Sequence, residues 1–140
     1  MTADSRVVPT QEGYDRWSEI YDDLFSTLKG LRVGNRTVFI VLNVYNGNLD
    51  NPDIKAAMDA ATYTKTRKVI IEAYDKWNAM LCARATAAGA TCIDLYHAVD
   101  GPRGDRAVPG LFDAHANPTQ AGNDLIAALL SKVDTSPLTD

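Results

Sequence analysis

The chain has 140 residues, the usual length of one domain, and 46% of them are hydrophobic, well above the range of disordered chains. The formal net charge of −4 argues against binding to nucleic acid or to an anionic membrane surface. The longest apolar run, Val38 to Leu42, is far too short to span a bilayer.

The N-terminus and the two cysteines bear on the cellular compartment. The first residues, MTADSRVVPTQEG, have neither a basic region nor an apolar core, so we expect no signal peptide in this chain. Cys82 and Cys92 flank a predicted helix-to-strand connection. They are either two buried thiols or a short-loop disulfide, and a disulfide would indicate an oxidising compartment. We expect the disulfide, and with it a secreted or extracytoplasmic location.

The first predicted element is an amphipathic helix that follows Pro9 and stops near Gly30 and Gly34. Its apolar side chains recur at alternating steps of three and four, which predicts one apolar helix face. These side chains are Tyr14, Trp17, Tyr21, Leu24, Leu28 and Leu31.

Two apolar strands follow, separated by a second long helix. TVFIVLNVY, at 37–45, is the run expected of a parallel strand that is buried on both faces. After a polar loop at 46–52, a long helical region ends at Gly89, and ATCIDLY, at 90–96, forms the second strand. The pattern then predicts a loop at 97–111 and a last helix at 118–133.

This order of elements predicts a single α/β domain over residues 1–140, with a parallel sheet between flanking helices. We expect a three-layer, flavodoxin-like arrangement built on two clear strands and three main helices. Sheets usually have about 4–6 strands, so the predicted sheet is incomplete. We therefore expect the chain to associate with itself or with a missing N-terminal segment.

The stretch FDAHANPTQAGNDLIAALL, at 112–130, holds the candidate catalytic residues. Asn117 suits a helix N-cap, Pro118 the first helical position and Gln120 the third. His115 thus lies just before a helix and after the last strand, where catalytic groups collect in open α/β sheets. Asp113 is close enough in sequence to hold one tautomer of the His115 imidazole.

The same stretch resembles the last sequence block of the SGNH, or GDSL-type, hydrolases. In that family an aspartate and a histidine precede a capped helix with an A-G pair in its first turn. TVFIVLNVY, AYDKWNAMLCARATAAGA and TCIDLYHAV resemble the preceding strand, helix and strand, so the resemblance covers the C-terminal half of a family domain. The family acid usually lies three residues before the histidine, a position that is Phe112 here, and Asp113 is the nearest acid.

The resemblance implies a serine ester hydrolase in which His115 is the general base and Asp113 orients it. The substrates would be carboxylic esters, such as acetyl groups on carbohydrate or short acyl chains, and no cofactor or metal is implied. The family's serine block has no match in these residues, so the nucleophile is expected ahead of Met1.

Other interpretations remain open. His115 could be a surface-loop histidine, and we expect His97 to be packed at the end of its strand. A metal site from Asp113, His115, Asp94 and His97 is disfavoured, because companion ligands are not visible at usable spacing. Asn43, Asn46 and Asn48 could line a ligand cleft, but we expect these side chains to form turns. The alternative function is a non-catalytic module that completes its sheet by association.

Overall fold

A computed structural model describes residues 9–31, 37–47, 49–113 and 116–138 of the chain. Within these ranges it contains five helices and a two-stranded parallel sheet, which confirms the predicted α/β class. The elements in chain order are α1 (Gln11–Gly30), β1 (Ile40–Leu42), α2 (Pro52–Ala56), α3 (Ala60–Ala87), β2 (Thr91–Ile93), α4 (Leu95–Asp100), α5 (Gln120–Leu130) and a 3-10 helix at Ser136–Leu138.

Helix α1 packs along α3 and forms the main core with it. The helix begins at Thr10, whose side chain accepts a hydrogen bond from the Gly13 amide. Phe25 is buried against Leu81 and Ala85 of α3. Partly buried side chains from α1 and from both strands surround this cluster, namely Tyr21, Leu28, Phe39, Val41 and Cys92.

Part of the predicted apolar face of α1 remains in solvent. Trp17, Leu24 and Leu31 are 42%, 47% and 68% exposed. Ile20 of the same helix is 44% exposed. The predicted apolar face is therefore only partly buried. Among the described residues, α3 covers only one side of the apolar surface that α1 presents.

The two strands are parallel and shorter than the sequence predicts. Ile40 pairs with Thr91 and Leu42 with Ile93. The predicted strand at 37–45 keeps regular pairing only over three residues, because β2 ends at Ile93 and the amides of Val44 and Asn46 bond to side chains instead.

One of these side chains is Asn78 of α3, which is 4% exposed. Its amide oxygen accepts from the Val44 backbone N–H at 2.9 Å, and its amide nitrogen donates to the Val44 carbonyl at 2.8 Å. A neighbouring strand would satisfy those same two backbone groups. Asn78 thus takes the place of a strand at the end of β1.

A disulfide joins Cys82 near the end of α3 to Cys92 of β2, with Cα atoms 5.3 Å apart. This confirms the disulfide expected from the sequence. The bond ties the helix to the strand next to it across only ten positions of chain.

The region after β2 differs from the prediction. The expected strand at 90–96 ends at Ile93, and α4 then occupies residues for which we predicted strand and loop. Asp94 causes the change, because its side chain caps α4 by accepting a hydrogen bond from the His97 amide at 3.1 Å.

The last helix begins later than predicted. Its N-cap is Thr119, whose side chain accepts from the Gly122 amide, so the prediction that Asn117 is the N-cap is wrong. Phe112 and Pro118 form an antiparallel bridge just before the helix, which leaves Pro118 outside it. Gln120 is consequently the first helical residue and not the third.

Candidate functional site

A cavity of about 230 Å³ lies at the carboxyl ends of the two strands. Three segments form its wall: the loop after β1, the end of α4 and the loop that precedes α5. Three aspartates line it, Asp50, Asp100 and Asp113, and no described lysine, arginine or histidine does. The cavity is therefore acidic and stands where ligands bind in α/β sheets.

Asp113, the predicted orienting acid, lies on the exposed rim of this cavity. Its carboxylate accepts hydrogen bonds from the Asn117 backbone N–H at 2.9 Å and from the Asn117 side-chain amide at 3.2 Å. The Asp113 carbonyl also accepts from the Ala116 amide at 3.1 Å. His115, the predicted general base, lies outside the described residues, so its distance to Asp113 stays a prediction.

The loop before α5 is held against the end of β1. The Tyr45 hydroxyl donates to the Ala116 carbonyl at 2.8 Å, and the Tyr45 ring packs on Phe112 with centroids 4.2 Å apart. A Cβ atom added to Gly47 would lie 2.3 Å from the Ala116 Cβ. Glycine at 47 is what lets the two loops approach this closely.

The A-G pair in the first turn of α5 has a packing reason as well. A Cβ atom on Gly122 would lie 2.2 Å from the Leu111 carbonyl oxygen. The Thr119 amide donates to that same carbonyl, so the chain before the helix must pass close to its first turn. Gly122 therefore fixes the position of the loop that carries Asp113.

The floor of the cavity holds a fully buried carboxylate, Asp100. One of its oxygens accepts from the Asn46 backbone N–H at 2.6 Å, and the other has no partner among the described residues. Burial raises the pKa of Asp100 to about 6, and the nearby Asp50 charge adds to the rise. Sequence reasoning missed this residue, and an aspartate between Val99 and Gly101 gives no signal of burial.

An aspartate–histidine pair with defined geometry occurs elsewhere, at Asp94 and His97. The His97 Nδ1 atom lies 2.7 Å from one carboxylate oxygen of Asp94, Oδ2. The other oxygen, Oδ1, accepts from the His97 backbone amide and, at 2.9 Å, from the Asn43 side-chain amide. Burial opposes ionisation of Asp94, but the hydrogen bonds from Asn43 and His97 outweigh it and lower its pKa.

The expectation that His97 is packed at a strand end is wrong. Its side chain is 42% exposed and belongs to the first turn of α4. The spacing D-L-Y-H after a strand could have predicted this pair, because an N-cap aspartate and a residue three positions later can bond to each other. The pair lines none of the cavities described here, and its plain role is helix capping.

Two of the three asparagines near the end of β1 have structural roles. Asn43 joins the end of β1 to the start of α4, since its amide oxygen accepts from the Tyr96 backbone N–H at 2.7 Å. Asn46 is buried and lines the acidic cavity, and Asn48 lies outside the described residues. The expectation of simple turn formers is therefore wrong for Asn43.

A second cavity, of about 540 Å³, also borders Asn46 and is mainly apolar. It is bounded by α1, α3 and the end of β1, and none of its described lining residues is charged. The lining residues are Pro9, Tyr21, Val44, Asn46, Ile54, Ile70, Ala73, Tyr74 and Trp77.

The described residues contain no group of three or more acidic, histidine or cysteine side chains that could hold a metal ion. Within the same ranges, no helix has the length and apolarity needed to cross a membrane. Comparison with protein-family models, with curated proteins and with solved structures finds no match for this chain.

Proposed function

We propose that this chain forms part of an SGNH-type ester hydrolase and supplies its acid and base. The observation that carries the proposal is the placement of Asp113. It lies on the rim of a cavity at the carboxyl ends of two parallel strands, on a loop fixed before a capped helix. The base, His115, follows two residues later in the sequence.

The reaction needs a serine, which we place outside this chain. No described serine lines the acidic cavity, and Ser18 and Ser26 belong to α1. His115 would take the hydroxyl proton as the serine attacks the ester carbonyl, and would then return it to the leaving alcohol. Asp113 would stabilise the imidazolium, and water would release the acyl group in the reverse sequence of proton transfers.

We also propose that this chain is one part of a complete domain with more strands than the described residues contain. In a three-layer, flavodoxin-like domain, further parallel strands would lie beside β1. The substrates would be carboxylic esters such as O-acetyl groups on carbohydrate or short acyl esters. Neither a metal nor a cofactor takes part in this chemistry.

The test begins with the coding DNA upstream of Met1. The proposal expects an in-frame serine block after an apolar strand, and a longer product that hydrolyses p-nitrophenyl acetate. In that product His115→Ala and Asp113→Asn should each lower kcat/KM by roughly a hundredfold or more. Asp94→Asn is the matched control, since it alters the other aspartate–histidine pair and should leave the rate within a few-fold.

Two results would refute the proposal. One is an upstream sequence without such a block in any protein that carries this chain. The other is a hydrolytic product whose rate is unchanged by His115→Ala.

A second candidate function is an interaction module that completes its sheet by association. The exposed apolar side chains of α1 favour it, together with Ile40 and Val44 in and after β1, which are 36% and 45% exposed. Such side chains on a strand edge and on the adjoining helix form the surface that a further strand would cover.

A further inference from the structure

The acidic cavity brings three carboxylates to one small volume. Asp50 and Asp113 are exposed at its rim, and Asp100 is buried at its floor. Arg67 lies 3.4 Å from Asp50, but it is not part of the described lining of the cavity. A ligand that enters this cavity therefore meets negative charge on several sides, which favours a positively charged group.

Asp100 also lacks a hydrogen-bond donor. Its Oδ2 atom accepts from the Asn46 amide at 2.6 Å, whereas its Oδ1 atom has no partner among the described residues. A buried carboxylate oxygen without a donor is costly, because the folded chain does not replace the water that the oxygen has lost. Since Asp100 lines the cavity floor, a ligand with a donor group can supply that missing partner.

The arrangement of the carboxylates suits an organic cation better than a metal ion. A calcium or magnesium ion needs several oxygens that converge on one point at about 2.0–2.6 Å. No group of three acidic, histidine or cysteine side chains within the described ranges could hold such an ion. The cavity volume of about 230 Å³ equals roughly eight water molecules at their liquid volume, which is room for a small organic group.

Two aromatic rings border the same cavity. Tyr45 and Phe112 line it and pack against each other with ring centroids 4.2 Å apart. Burial, and after it the charges of Asp100 and Asp113, raise the pKa of the Tyr45 hydroxyl. The negative field of both carboxylates thus reaches the aromatic wall. The faces of such rings attract cations as well, so charge and aromatic surface favour the same kind of ligand.

We infer that the acidic cavity binds a primary ammonium group, which donates a hydrogen bond to Asp100 and is attracted by Asp50 and Asp113. A primary ammonium group combines the positive charge with N–H donors, and a quaternary ammonium group has only the charge. As a statement about the substrate, this inference rests on the proposed function. The substrate would be an ester of an amino alcohol, with its ester group at the rim beside Asp113 and its ammonium group at the floor.

The test is a nuclear magnetic resonance titration of the 140-residue chain with ethanolamine at neutral pH. Two probes of related structure separate the contributions, since ethylene glycol lacks the charge and choline lacks the N–H donors. We expect ethanolamine to shift the backbone amide signal of Asn46, which reports on Asp100 through their hydrogen bond. Ethylene glycol and choline should each bind roughly tenfold more weakly or less, because a hydrogen bond to a charged group is lost.

Two variants of the chain test the carboxylates. Asp100→Asn keeps an acceptor for the Asn46 amide but removes the charge, and should weaken ethanolamine binding by roughly tenfold or more. Asp50→Asn changes an exposed residue of the rim, so the fold is retained, and it should weaken binding by roughly twofold to fivefold. Asp124→Asn is the matched control, because it removes an exposed carboxylate of α5 outside the cavity lining and should leave the affinity unchanged.

Two results would overturn the inference. One is ethanolamine binding no tighter than that of ethylene glycol or choline. The other is an unchanged affinity in both the Asp100 and the Asp50 variant. Binding needs no serine, so these results are separate from those that test hydrolysis. A longer product whose hydrolysis depends on His115, but which does not bind ethanolamine, would refute the ammonium site alone.

Discussion

The contact between Asn78 and Val44 allows a quantitative test of the fold. Asn78→Ala removes two hydrogen bonds, of 2.9 and 2.8 Å, from a side chain that is 4% exposed. Each is worth about 1 kcal/mol net, and each backbone group of Val44 left without a partner adds to the loss where water does not reach it. Val44 is 45% exposed, which limits that addition.

Alanine also favours the helix over asparagine by roughly 0.5 kcal/mol, which opposes the loss. We therefore expect Asn78→Ala to lower the free energy of unfolding by about 1.5–2.5 kcal/mol. Asn78→Asp keeps the acceptor for the Val44 amide but sets a carboxylate oxygen against the Val44 carbonyl. Its stability should recover as the pH falls and that carboxylate takes up a proton.

Urea unfolding, followed by circular dichroism at fixed protein concentration, measures these changes. Asn123→Ala is the control, because Asn123 is exposed on α5 and its removal should change stability by no more than about 0.5 kcal/mol. A loss below about 1 kcal/mol for Asn78→Ala would show that Asn78 does not replace a strand at Val44.

Three further outcomes are expected. The intact chain should be two hydrogens lighter than its reduced form by mass spectrometry, and reduction should lower the free energy of unfolding by roughly 3 kcal/mol for a loop of this length. Because folding raises the pKa of Asp100 from 3.8 to about 6, protonation of this carboxyl stabilises the folded state. This contribution is complete below about pH 4 and is lost as the pH rises through about 6. Asp100→Asn should remove that contribution, about 3 kcal/mol in all. Comparing the urea midpoints of the two proteins across this pH range measures it. The 140-residue chain alone should not hydrolyse p-nitrophenyl acetate above background, and turnover abolished by His115→Ala would show that a serine within it was overlooked.

The sequence predicted the type of most elements but not their ends. Apolar periodicity identified α1 and α3, and the apolar runs identified both strands. Each strand is shorter than its run, because side chains of Asn78 and Asp94 satisfy backbone groups that the prediction assigned to a sheet. Such long-range side-chain bonds leave no local pattern in a sequence.

The candidate site could be predicted in its location and not in its composition. The position of Asp113 beside the carboxyl ends of the strands follows from the order of elements. The burial of Asp100 does not, because it depends on how the loop after β1 folds over α4. The choice of Thr119 over Asn117 as N-cap likewise depends on the bridge between Phe112 and Pro118, which no local propensity reveals.

The disulfide has a consequence for the order of folding. In the oxidised chain the end of α3 and β2 are already held together by a short covalent ring. The pairing of β1 with β2, by contrast, joins Ile40 to Thr91 across the whole length of α3. Contacts this distant in sequence form slowly, since the loop between them must close first. We expect β1 to dock last, so that Val41→Ala speeds unfolding in stopped-flow experiments far more than it slows refolding.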